Sequence, residues 1–157
     1  MQSKFSLPIF ILTIFSLLFF SCSTSVATPP PLDPATEKFS MYLKLNFEDS
    51  IPNSRHLYVL ISKKDSRENV SKILSRLNVE MGNKKPETYS SIVSVNMPID
   101  DSMMLPGKIH TDWNGAIDKL NLNLSSVTLI QTENNKIADI LPLSVDSSGM
   151  EKQFLKW

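Results

Sequence analysis

The chain has one cysteine, four glycines and two histidines in 157 residues, and each scarcity closes off a kind of chemistry. With Cys22 alone, no disulfide forms within the chain and no cysteine-based zinc site is available. Four glycines leave no loop to cradle a phosphate, and no Gly-x-Ser-x-Gly elbow presents a serine nucleophile. Neither sign of charge is in excess, with 16 basic and 16 acidic residues. The basic pairs Lys63-Lys64 and Lys84-Lys85 stand among acids and polar residues, so the clustered basic face of a nucleic-acid binder is missing. No motif calls for a cofactor.

Long apolar runs are also absent, with one exception at the start. Lys4 supplies a positive charge, residues 7–20 are apolar apart from Thr13 and Ser16, and small polar residues follow at positions 21–25. This is the grammar of an export signal. As a helix, 14 residues reach about 21 Å, short of the roughly 30 Å hydrocarbon core of a bilayer, so the run reads as a signal peptide over residues 1–21 and not as a retained span.

Two cleavage sites give the only cysteine different fates. Phe19-Phe20-Ser21-Cys22 resembles the lipobox of bacterial lipoproteins: Ser21 is the small residue before the cysteine and Leu18 lies close by, while Phe19 and Phe20 replace the usual aliphatic and small residues. The resemblance covers the leader alone. It implies that Cys22 is diacylated on sulfur, becomes the first mature residue and anchors the chain by lipid to a membrane of the bacterial cell envelope. Ser25-Val26-Ala27 is a small-x-small site that would instead release a soluble periplasmic or secreted protein from Thr28. A lone cysteine directly at the end of the apolar run favours the first.

Residues 22–38 are rich in Ser, Thr and Pro and read as an extended tether, which leaves residues 39–157 as a single globular domain. Phe39, Met41, Leu43, Leu45 and Phe47 alternate with polar neighbours, which predicts a strand. The apolar run 57–61 predicts a second, more central one, antiparallel to the first. Asp65 and Glu68 frame a helix start ahead of Val70, Ile73, Leu74 and Leu77 at helical spacing, with Gly82 or Asn83 as its end. A third strand is expected over 89–97, a long loop over 98–115, alternation at Leu120, Leu122 and Leu124, and strands over 127–132 and 137–145, the last interrupted by Pro142. The class that follows is α+β, a mainly antiparallel sheet with one packed helix; a β-sandwich with an inserted helix is the alternative.

Candidate chemistry is sparse. His56 reads as a hydrogen-bonded or exposed residue at a strand end. His110 and Asp112 fall on one side of a strand, and with Asp100 and Asp101 they form the one conceivable metal-assisted site. No catalytic residue and no metal ligand is assigned, and the chain is expected not to be an enzyme. Met103, Met104, Leu105 and Trp113 in the long loop compose either a partner-binding surface or a cover for the sheet. The sequons at Asn69 and Asn123 read as chance matches. Together these features predict an exported, lipid-anchored envelope protein that acts as a binding or assembly module and engages another envelope protein. The alternatives are a soluble exported protein for a small or lipidic ligand and a metal-assisted enzyme around His110 and Asp112.

Overall fold

The computed structural model describes residues 31–62, 66–95, 97, 105–122 and 124–156, and all its elements fall within the unit Leu32–Trp157. The expected signal peptide, Cys22, the cleavage site before Thr28, the helix cap Asp65, the loop residues Asp100, Asp101, Met103 and Met104, and Asn123 lie outside the described residues.

Helix α1 (Pro34–Phe47) begins where Asp33 accepts hydrogen bonds from the Ala35 and Thr36 amides at 3.1 and 2.9 Å. Pro34 takes the first position, where its missing N–H costs nothing. The buried residues Thr36, Phe39, Tyr42 and Leu43 recur at steps of three and four, a helical face. Residues 39–47 are therefore helical, and the strand expected there is corrected. Its alternation was coincidental: Met41 and Leu45, supposed to face the core, are 57% and 76% exposed.

β1 (His56–Ile61) is followed by α2 (Arg67–Met81), capped by Ser66, whose Oγ accepts from the Asn69 amide at 3.3 Å. The helix carries the chain back to its starting end, so β2 (Tyr89–Ser94) pairs with β1 in parallel. β3 (Lys108–Asp112), inside the stretch expected as loop, pairs with β2, again in parallel. After a short 3-10 turn (Ala116–Lys119), Leu120, Leu122 and Leu124 pack into the core without forming a strand. β4 (Val127–Glu133) and β5 (Lys136–Leu143) form an antiparallel hairpin through Asn134 and Asn135, both at positive φ, the geometry a two-residue loop favours. Pro142 is accommodated because β5 lies at the sheet edge. A short α3 (Met150–Phe154) ends the described chain.

The sheet order is β3-β2-β1-β4-β5, with two parallel and two antiparallel pairings. The class is α+β as expected, but the sheet is mixed where a mainly antiparallel one was expected, and three helices among the described residues replace the one. α1 covers one face through Phe39, Tyr42 and Leu43 against Tyr58, Leu60 and Ile130. α2 covers the other through Val70, Ile73, Leu74 and Leu77 against Leu57, Val59 and Leu129. A helix on each face of a single sheet excludes the two-sheet sandwich.

Candidate ligand-binding site

Successive side chains of a strand alternate between faces, so His56, Ser90, Lys108 and His110 all project toward the α1 side of the sheet. Register completes the grouping: Ser90 stands opposite Lys108, and Ile92 opposite His110. The chain's only two histidines therefore gather at the end where β1, β2 and β3 begin, next to the exit of α1. There Phe47 packs on the His110 ring at 4.5 Å between centroids.

His56 Nε2 lies 3.0 Å from Ser90 Oγ, and its ring rests 4.8 Å from that of Tyr58. Lys108 Nζ donates to Asp49 Oδ2 at 2.7 Å. The His110 side chain is 9% exposed and its Nε2 stands 3.6 Å from Asp49 Oδ2, beyond hydrogen-bonding distance. Among the described residues that buried nitrogen has no hydrogen-bond partner, a costly state that a ligand or water would relieve. His56, Ser90 and Lys108 line a cleft of about 600 Å³ together with Pro86, Glu87, Tyr89 and Gly107, a size typical of small-ligand sites. Gly107 is required in its wall: at φ 131° a Cβ would approach the Tyr89 ring to 2.8 Å.

Burial pushes His56 below its ordinary value of 6.5; Asp49 opposes this, and Lys108 and His110 add to it. Burial also leads the depression of His110, with Lys108 adding and Asp49 opposing. Burial works against ionisation of Asp49 too, but the hydrogen bonds from Lys108 and the Ser50 amide outweigh it and hold the carboxyl below its usual range. At neutral pH the site thus presents two neutral imidazoles beside a lysine–carboxylate pair. A histidine depressed by folding binds fewer protons in the folded state than in the unfolded one. Its contribution to stability is full above the unfolded value of 6.5 and is lost as pH falls through the folded values. The urea midpoint of the chain is expected to be lower at about pH 5 than at about pH 7.5, and the His56→Gln/His110→Gln variant to lose less over that interval. Equal losses would place the proton uptake elsewhere.

At the opposite end of the sheet, where ligands of open α/β sheets usually sit, Ser62 Oγ donates to the Ser125 carbonyl and Asp112 is engaged internally, while Ser94 Oγ is buried with no hydrogen-bond partner among the described residues. Asp112 accepts from the amides of Ala116 and Ile117 at 3.1 and 2.8 Å, which pins the 3-10 turn. It shares a sheet face with His110, as expected, but its carboxylate oxygens are engaged in this cap. Among the described residues, no group of three or more His, Cys, Asp or Glu side chains is placed to hold a metal ion. Leu105 is 3% exposed and belongs to the core under α2, the sheet-covering role left open for it, whereas Trp113 is 73% exposed. Asp49, Ser90 and Lys108 carried no sequence signal that would have joined them to the histidines. The only trace was the two-residue spacing of Lys108 and His110.

Compared with protein-family models, curated proteins and solved structures, the chain shows no match.

Proposed function

We propose that this protein is an exported envelope lipoprotein, tethered through acylated Cys22, whose domain is a non-catalytic binding module with its ligand site in the His56–Ser90–Lys108 cleft. The observation that carries the binding reading is the cleft of about 600 Å³ on which His56, Ser90 and Lys108 converge. The anchoring reading is supported by the position of the lone Cys22 at the end of the apolar leader. Two or more acyl chains at about 0.8 kcal/mol per buried methylene suffice for stable attachment.

His56 and Ser90 stand at the separation of a base and a nucleophile, which alone would favour acyl transfer. Against catalysis, no carboxylate among the described residues hydrogen-bonds to the other ring nitrogen of His56, and Asp49 is engaged by Lys108. The orienting third member of a triad is thus not in place. The mature protein from its native host is expected to begin at Cys22 and to carry several acyl chains' worth of added mass, lost in Cys22→Ala. An unmodified chain beginning at Thr28 would replace the tethered module with a soluble one.

A further inference from the structure

The outer face of α1 carries an apolar feature that the domain itself leaves uncovered. Met41 and Leu45, one turn apart on the helix, are 57% and 76% exposed. With Ala116 and Leu120 they wall a groove of about 480 Å³ between α1 and the segment that follows β3. Among the described residues, Lys38 and Lys119 are the only charged side chains lining this groove. Tyr42 also lines it, and its buried hydroxyl has no hydrogen-bond partner among the described residues. Burial, followed by the charges of Asp112 and Asp118, pushes that phenol far above its ordinary value, so it is a neutral donor.

Chain length indicates what meets this face. Leu32 lies ten residue steps beyond Cys22, and a fully extended chain spans at most about 3.6 Å per step, or about 36 Å in all. α1 is the first described element of the domain, so an acyl anchor on Cys22 confines this helix to the neighbourhood of a bilayer surface at high effective concentration. Apolar side chains flanked by lysines suit that surface: the stems lie along apolar area while the ammonium groups reach lipid phosphates.

We propose that the α1 groove docks the domain on the anionic phospholipid surface to which the chain is tethered. Met41 and Leu45 enter the headgroup layer, and Lys38 and Lys119 pair with lipid phosphates. The proposal rests on the anchoring reading of Cys22, and its test supplies the tether chemically so that the two fail separately.

The mature chain, residues 22–157, is coupled through Cys22 to a maleimide-bearing phospholipid in vesicles of phosphatidylethanolamine with phosphatidylglycerol, or of phosphatidylcholine alone. Peroxide converts exposed methionines to sulfoxides, and peptide mass spectrometry follows Met41 against Met150. Met150, 50% exposed, sits on α3, which adjoins the core on the opposite face of the sheet, and serves as the internal reference. The Met41-to-Met150 oxidation ratio is expected to fall roughly tenfold on the phosphatidylglycerol vesicles, the factor for a docked population about ten times the undocked one. It should stay near the solution value on phosphatidylcholine and return toward it in Lys38→Glu/Lys119→Glu. A ratio indifferent to lipid charge, or protection retained in the double variant, overturns the proposal. Protection of Met41 already present before coupling also overturns it, because a protein contact would then cover the groove. Absence of native acylation would show in the mass of the native protein and leave this ratio unchanged.

Discussion

Phe39→Ala is expected to lower the unfolding free energy by about 3–5 kcal/mol, whereas Leu45→Ala should change it by no more than about 0.5 kcal/mol. The Phe39 ring is fully buried. It packs edge-on against Tyr58 of the central strand at 5.0 Å and stacks with Tyr42 at 6.2 Å. Truncation forfeits the transfer free energy of the ring and leaves a cavity that neither the sheet nor the helix can close. A loss of that size is a large share of the roughly 5–15 kcal/mol that holds a domain folded. Leu45, six residues on, is 76% exposed and forfeits little. The contrast separates helix from strand over this segment, because a strand would put Phe39 and Leu45 on the same face and make both truncations costly, and a helix rotated by half a turn would redistribute the cost. Urea unfolding followed by circular dichroism gives both values. A Leu45→Ala loss as large as that of Phe39→Ala would put Leu45 in the core and the α1 assignment in error.

The second large effect is expected at Arg76. Its Nη1 and Nη2 donate to the carbonyls of Val145 and Ser144 at 2.7 and 2.9 Å. Its Nε lies 3.2 Å from Glu151 Oε1, an ion-pair contact not aligned as a hydrogen bond. One guanidinium thus ties α2 to the end of β5 and to α3. The Glu151 side chain is 4% exposed, and its other carboxylate oxygen has no hydrogen-bond partner among the described residues. Removing Arg76 therefore strands a buried negative charge as well as two carbonyls. Arg76→Ala is expected to cost about 3–5 kcal/mol, and Arg76→Met/Glu151→Leu clearly less, because the double variant removes the charge along with its partner. A double-mutant cycle on urea midpoints reads the coupling, and hydrogen exchange should rise first in residues 150–154. An Arg76→Ala protein within about 0.5 kcal/mol of the original would show that solvent already compensates Glu151.

The helix α2 was readable because its cues agree: a capping residue at its start and Val70, Ile73, Leu74 and Leu77 at helical spacing. The strand at 57–61 was readable because a strand covered on both faces shows a continuous apolar run, and that at 127–132 because β-branched and apolar residues dominate it. α1 was misread because its residues satisfy two periods at once. Phe39 and Leu43 belong to either pattern, and only burial distinguishes Tyr42 from Met41. Asp33-Pro34 was a helix-start signal, but it stood in a proline-rich stretch that read as tether. β3 was missed because Lys108, Ile109 and His110 are at most partly buried on the sheet edge, where little apolar pattern is demanded.

The candidate site was less readable than the fold. His56 could be placed at a strand end, and His110 and Asp112 on one face, from alternation alone. That His56 meets Ser90, and that Asp49 and Lys108 lie beside His110, depends on parallel pairing across three strands far apart in the chain.

The sequence by itself determined what depends on local order along the chain. This includes the position of the lone Cys22 just after the apolar run 7–20, the amphipathic period of α2, the runs that become β1 and β4, and the exclusion of disulfides within the chain and of glycine-rich phosphate loops. Only the tertiary structure decided which period α1 obeys, that the sheet is mixed, and that His56, Ser90 and Lys108 line one cleft with Lys108 paired to Asp49 beside His110. Strand order and register are set by how two helices bury their apolar faces on opposite sides of one sheet, a non-local balance of packing that no window of residues contains.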